Sequence, residues 1–285
     1  MIHPADRSRV WFVTGCSSGF GRSLAAAVLA RGDRCVITAR DAATVRDLAD
    51  AHPRSALALP LDVTNRGQRE HAVVEAERAF GRIDVLVNNA GYAYYAAAEE
   101  GDDARIREMF ETNFFGLVAM TQRVLPAMRA RRNGHIVNIS SVGGLVANVA
   151  SAFYAASKFA VEGFSESMAQ EVGPHGIRVT LIEPGPFRTD FQGRSVKVEA
   201  QPLPAYAETV GARRSALQAS SGKQPGDPVR AAEAIIQCVE SDDPPLRPLL
   251  GRIAYDRAGE KFESMLRSRQ AWRDVTLGAD FPPGT

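Results

Sequence analysis

Cysteine is scarce in this chain, and the little there is does not cluster. Cys16, Cys35 and Cys238 are spread over 285 residues. They are odd in number and lack C-x-x-C spacing, which argues against a disulfide framework and a zinc site. An excess of charge of one sign is also missing. The formal net charge is +1 with acidic and basic residues interleaved, so there is no electrostatic footprint for nucleic acid or an anionic membrane. The only tight basic group, Arg129, Arg131 and Arg132, reads as a solvated helix end. No apolar run approaches the ~18 residues that a membrane-spanning helix requires. The first nine residues are polar and lack the apolar stretch of a signal peptide. With scattered, unpaired thiols, the expected setting is a reducing cytoplasm. Repeats and low-complexity segments are absent as well.

What is present is a large apolar fraction, 45% of the residues, arranged in a regular rhythm. Short β-branched or apolar runs at 10–14, 34–39, 56–61, 83–87, 135–139 and 178–182 suit strands covered on both faces. Between them, 21–30, 42–51, 66–80, 103–131 and 151–172 have helical spacing. Strict alternation of this kind predicts an α/β fold in one domain: a doubly wound parallel sheet with right-handed crossovers and helices on both faces. Beyond Pro184 the rhythm breaks. Residues 186–226 are rich in Gly, Pro, Ser and charge, too long for a simple connection, and are expected to form a substrate lid. A helix at 228–240, an apolar run at 245–250 and a charged C-terminal helix at 254–272 complete the chain.

Two patterns carry chemistry. The turn Thr14-Gly15-Cys16-Ser17-Ser18-Gly19-Phe20-Gly21 follows the first strand and opens the first helix. There Gly15, Gly19 and Gly21 let the backbone turn tightly and bring a pyrophosphate to free N–H groups at a helix N-terminus. At the end of the second strand, Ala39 stands where an acidic residue would hold a ribose 2′-hydroxyl, and Arg40 follows it. This points to the 2′-phosphate of NADP(H) over NAD(H), with Arg40 as the pairing cation. The second pattern is Tyr154 and Lys158, four apart and therefore on one helix face. An ammonium ~4 Å from the phenol, at an effective dielectric of about 20, favours phenolate by on the order of 4 kcal/mol before desolvation subtracts. That is about three pKa units from an ordinary tyrosine near ~10, and so Tyr154 is expected to be brought toward neutrality.

Taken in order and spacing, Thr14 to Gly21, Asp62-Val63, Asn88-Asn89-Ala90-Gly91, Asn113, Ser141, Tyr154 with Lys158, and Pro184-Gly185 followed by Thr189 resemble the short-chain dehydrogenase/reductase family. The T-G-x-x-x-G-x-G and Y-x-x-x-K spacings look like its compact single-domain branch. The segments 141–145 and 156–163 are similar to 17β-hydroxysteroid and retinol dehydrogenase-like members. The resemblance implies a Rossmann-type fold and a catalytic set of Ser141, Tyr154, Lys158 and Asn113. Tyr154 would be the acid/base and Lys158 would also hold the nicotinamide ribose. Ser141 would orient the substrate oxygen, and Asn113 would anchor a water-linked proton relay. It also implies cofactor contacts from Gly15, Ser17, Ser18, Gly19, Phe20, Gly21, Asp62, Val63, Asn89, Ala90, Gly91, Pro184, Gly185 and Thr189, and no metal. Ser140 is expected to point away from Ser141, since strand neighbours face opposite sides.

The wall of the substrate site is expected from residues 142–149, Tyr92, Tyr94 and Tyr95, with Phe187, Phe191 and Tyr206 from the lid. These are mostly apolar, which favours a hydrophobic ketone, aldehyde or secondary alcohol. Two alternatives stay open, a 3-oxoacyl-thioester reductase and an NADP(H)-binding sensor without turnover. The resemblance further implies a homodimer or homotetramer built on helices 103–131 and 151–172.

Overall fold

The computed structural model describes residues 8–199 and 201–281; most of the polar N-terminal stretch read above lies outside them. Seven strands run parallel in the order β3-β2-β1-β4-β6-β7-β9. They are β1 (Val10–Val13), β2 (Arg34–Ala39), β3 (Ala56–Pro60), β4 (Val85–Asn88), β6 (Gly134–Ile139), β7 (Ile177–Pro184) and β9 (Leu249–Leu250). Six occupy the expected runs, and the apolar segment at 245–250 supplies the seventh by pairing Leu249 with Glu183 and Leu250 with Pro184.

The near-continuous apolar character of the strands follows from burial on both faces. Alternation sends Trp11, Val13, Cys35 and Ile37 to one side, against α1 (Gly19–Ala30) and α9 (Pro228–Glu240). Phe12, Val36, Leu86 and Ile136 go to the other. There they meet α3 (Arg66–Phe80), α5 (Gly116–Arg131) and α6 (Ala152–Val172). Local signals set the helix limits. Asn65 accepts from the Gln68 N–H to start α3, and Gly81 ends it at φ +80. Asp227 with Pro228 starts α9. The short α2 (Arg46–Ala51) follows a 3₁₀ turn, Ala42–Val45.

Three features depart from the sequence reading. The stretch 103–131 is α4 (Asp103–Phe110), then a π-turn over Glu111–Phe115, then α5. Residues 186–226, expected as a lid with no elements assigned, hold α7 (Phe191–Arg194), β8 (Val196–Val198), a second π-turn at Ala207–Gly211 and α8 (Ala212–Ala219). Strand β8 pairs in parallel with β5 (Ala93–Tyr95), tying this segment to the chain just after Gly91. The C-terminal helix is α10 (Arg252–Ala271), followed by α11 (Arg273–Leu277). Phe262, Met265, Leu266 and Trp272 are exposed along it. No helix among the described residues is long and apolar enough to cross a membrane.

Candidate active site

The named motifs gather at the C-terminal ends of β1, β2, β3, β4, β6 and β7, where the strand order turns from β3-β2-β1 to β4-β6-β7. An open parallel sheet splays its loops there and leaves a crevice.

The turn after β1 is dovetailed with the turn after β4. Gly15 has φ +72, and a Cβ on it would stand 2.9 Å from the Ala90 Cα. One on Gly21 would stand 2.5 Å from the Asn89 amide nitrogen. Glycine is therefore required at both places by contact, and at Gly15 by conformation as well. Asn89 Nδ2 donates to the carbonyls of Thr14 (2.8 Å) and Gly15 (2.9 Å). Thr14 Oγ1 accepts from the N–H groups of Asn89 (2.9 Å) and Ala90 (3.0 Å). Ser18 sits at the N-cap of α1 without using its hydroxyl to cap it, so side chain and orphan N–H groups are open to an anion. Thr189 crosses above: a Cβ on Gly19 would stand 3.5 Å from the Thr189 Cβ. Phe20 packs edge-on against Phe187, with ring centroids 5.0 Å apart.

The rim holds the remaining contacts. Arg40 is exposed at the end of β2 and makes no ion pair among the described residues. Asp62 Oδ1 accepts from the N–H and hydroxyl of Thr64, at 2.9 and 2.7 Å, and Val63 is buried beside it. Gly185 lies close enough to α10 that a Cβ would stand 3.1 Å from the Ala254 nitrogen. Thr189 Oγ1 accepts from Phe191 N–H at 3.3 Å, so it also helps to start α7. These features fit a dinucleotide: a glycine turn at a helix N-terminus, an uncommitted serine hydroxyl and a lone cation at the end of β2.

Beside this cradle stands the set carried by β6, the π-turn and α6. Ser141 accepts from the Gly143 N–H at 2.9 Å, and it lies beside the Tyr154 ring: a Cβ on Gly143 would stand 3.3 Å from Ser141 Oγ and 3.5 Å from Tyr154 Cε1. Ser140 turns the other way into the core, as expected for strand neighbours, with its hydroxyl buried and unpaired among the described residues. Lys158 donates from Nζ to the Ile139 carbonyl at 2.7 Å and lies 5.8 Å from the Tyr154 ring centroid. The expected depression of the phenol does not appear. Burial, with Tyr95, raises Tyr154 above an ordinary tyrosine, and only Ser141 pulls it down. Desolvation is the larger effect here because the ammonium is engaged by a carbonyl and is itself desolvated. Burial lowers Lys158 from 10.5 to about 8, against the opposing pull of Glu162.

Asn113 lies in the π-turn and is 1% exposed. Its Oδ1 accepts from Tyr92 N–H at 3.0 Å, and its Nδ2 donates to the Tyr92 carbonyl at 2.8 Å and to Ser157 Oγ at 3.1 Å. Gly91 sits between the two functional groups. A Cβ there would be 3.1 Å from Asn113 Oδ1 and 3.9 Å from Lys158 Nζ.

A cavity of about 970 Å³ opens beyond Tyr95 against the 186–226 segment, lined by Val196, Val198, Leu203, Tyr206, Val210 and Leu217, with Glu100, Arg214 and Gln218 among its polar residues. Tyr95 meets the Tyr154 ring edge-on at 6.4 Å, and Phe191 approaches it at 6.1 Å. The expected wall is thus partly corrected. Tyr94 is fully buried and stacks on Phe153, while Phe187 belongs to the Phe20 contact. No residue of 142–149 lines this cavity. Tyr92 holds the Lys197 ammonium 4.6 Å above its ring. The sequence reading also missed Thr14 as a clamp, Ser157 as a partner of Asn113, and a buried acidic pair, Glu162 and Glu183. The one-turn spacing of Glu162 from Lys158 was the available signal.

Among the described residues no group of His, Cys, Asp and Glu is placed to hold a metal. The sequence model of the family described as short chain dehydrogenase matches residues 9–200. Oxidoreductase BOA17 of Botryotinia fuckeliana is 38% identical, covering 95% of this chain and 99% of its own. Retinol dehydrogenase 8 of Bos taurus is 35% identical, covering 90% and 89%. The crystal structure of a short-chain dehydrogenase from Streptomyces avermitilis superposes with a TM-score of 0.91 at 41% identity, covering 97% of this chain and all of that one.

Proposed function

The chain belongs to the short-chain dehydrogenase family, and from that premise we propose that it interconverts a hydrophobic ketone or aldehyde and its alcohol with NADP(H), using Tyr154 as the acid/base. The carrying observation is that Ser141, Tyr154 and Lys158 converge beside a glycine cradle fitted for a dinucleotide, while Tyr95, edge-on to the Tyr154 ring, lines a mostly apolar cavity.

The nicotinamide group, when bound, supplies the hydride. Ser141 donates to the substrate oxygen and holds it against Tyr154. The phenol gives its proton to that oxygen as negative charge develops there. Lys158 stabilises the phenolate that remains. A phenol raised by burial suits this direction, because it keeps its proton through neutral pH. The reverse direction requires phenolate and therefore higher pH. Asn113 holds the Tyr92 backbone and Ser157 in place, which fixes the approach of Gly91 to Lys158.

Arg40, exposed at the end of β2 and without an ion pair among the described residues, supports a 2′-phosphate. The size and mostly apolar surface of the cavity support a bulky, lipid-like carbonyl compound or its alcohol; the retinol dehydrogenase among the relatives is named for an alcohol of that kind. In this reading the chain works as one domain with 186–226 as the lid. Phe115 and Phe159, exposed near the starts of α5 and α6, are available for a homodimer or homotetramer contact.

The test is a panel of carbonyls and alcohols of increasing apolar size, each with NADPH or NADP⁺, followed by cofactor absorbance. Turnover rising with apolar size supports the reading. Activity confined to acetoacetyl thioesters, or none with cofactor still bound, contradicts it.

A further inference from the structure

Directly behind the Ser141–Tyr154–Lys158 set lies a charged cluster for which the proposed chemistry has no use. Glu162 follows Lys158 by one helical turn on α6, and Glu183 precedes Pro184-Gly185 at the end of β7. The two are 5% and 1% exposed. Arg247, on the segment leading to β9, reaches both: its Nε lies 3.0 Å from Glu162 Oε2 and 3.7 Å from Glu183 Oε1. Its Nη2 is committed to Glu166 at the surface, at 2.7 Å. Three carboxylates thus converge on one guanidinium, and two of them are buried. The carboxyl groups of Glu162 and Glu183 meet at one nitrogen, Arg247 Nε, and the Oε1 atom of each has no hydrogen-bond partner among the described residues. One proton placed between them removes both deficits and the repulsion together. Burial and Glu162 push the Glu183 carboxyl up from 4.5 to about 8, against Arg247.

The pair acts on the active site through Lys158. Among the described residues, Glu162 is the charged group that supports the Lys158 ammonium against burial. The unpaired Ser140 hydroxyl borders the same space: a Cβ on Gly144 would stand 2.8 Å from Ser140 Oγ and 3.2 Å from Glu162 Oε1. The neighbouring charges are therefore Lys158, Glu162 and Glu166 on α6, Glu183 on β7 and Arg247 before β9.

We propose that Glu162 is a positioning residue for Lys158, and that one proton held between Glu162 and Glu183 keeps the charge presented to Lys158 at a single negative unit until that proton leaves at alkaline pH. The inference rests on the reading of Lys158 as part of the site. Its test therefore uses a readout that does not need turnover.

Only four lysines occur in the chain, Lys158, Lys197, Lys223 and Lys261. Full-length protein labelled with carbon-13 at the lysine Cε gives few signals, and Lys158→Arg identifies the buried one. In the wild type the Lys158 signal is expected to titrate in two steps, because Glu183 changes charge in the same pH range. Glu162→Gln is expected to lower the Lys158 midpoint by about one pH unit, and the alkaline limb of any reductase activity with it. Glu183→Gln carries an amide N–H where the proton sits, so it should reduce the titration to one step. A purely structural role would lower the melting temperature and leave the Lys158 titration where it was, which overturns the proposal. If Glu162→Gln does not fold, Glu183→Gln decides alone: a wild-type titration already single-step and identical to the variant overturns it. A shifted Lys158 midpoint without turnover on any carbonyl supports the pairing and counts against the proposed function alone.

Discussion

Truncating Asn113 to alanine puts a number on the clamp between the π-turn and the strand after β4. The side chain is 1% exposed. It makes three hydrogen bonds, at 3.0 and 2.8 Å to the Tyr92 backbone and 3.1 Å to Ser157. Alanine leaves the Tyr92 N–H and carbonyl without these partners. Each buried polar group left unpaired costs about 1–3 kcal/mol, whereas a hydrogen bond exchanged with water costs only about 1. Two stranded backbone groups together amount to roughly 3 kcal/mol. For a domain of this size that corresponds to a melting temperature about 6–12 °C lower. Urea unfolding followed by fluorescence is expected to show an earlier midpoint with an unchanged slope. Ser157→Ala keeps both Tyr92 bonds and should cost only about 1 kcal/mol, so the two variants should differ clearly. A loss below about 1 kcal/mol for Asn113→Ala would refute the reasoning, since the clamp would then be open to water.

Three further outcomes are expected. Arg40→Asp should reverse the cofactor preference, measured as the ratio of kcat/KM with NADPH to that with NADH; an unchanged ratio would remove Arg40 from the 2′-phosphate. Burial raises the Cys16 thiol to about 12, Cys35 well above its usual value, and Cys238 less. Native protein at pH 8 should therefore expose at most one thiol, Cys238, to a disulfide reagent, and fast reaction of two would contradict the buried placement. Glu183 has a folded value near 8 against an ordinary 4.5, so the native state holds the extra proton between those values. Its stabilising contribution is complete below about pH 4.5 and is lost as pH rises through 8. The melting temperature of Glu183→Gln relative to wild type should rise between pH 5 and 8.5, and a difference independent of pH would contradict that linkage.

The large-scale rhythm was legible because a sheet buried on both faces leaves a local trace: six β-branched runs separated by helical spacing. Strand β9 has two residues and showed only as an apolar run. β5 and β8 left no trace, being three-residue strands whose pairing joins Tyr95 to Val198 across the chain. The π-turn at Asn113 inserts into an otherwise regular helical pattern, and composition does not mark it. Spacing identified which residues meet in the crevice, but not their electrostatic balance. The i, i+4 relation of Tyr154 and Lys158 predicted an ammonium beneath the phenol, and Nζ does lie over the Tyr154 ring, but it donates to the Ile139 carbonyl and burial sets both groups. Aromatic residues told less still, since Tyr94 and Phe187 serve packing while Tyr95 and Phe191 face Tyr154.

The most direct measurement is Tyr154→Phe assayed with a turned-over carbonyl and NADPH, alongside cofactor binding by fluorescence. Phenylalanine keeps the ring contacts with Tyr95 and Phe191 and removes only the hydroxyl. Reduction should fall by ~10²–10⁴-fold while the cofactor Kd stays within about threefold of wild type, a shift worth well under 1 kcal/mol. Reduction at the wild-type rate would show that the proton comes from elsewhere and would contradict the account.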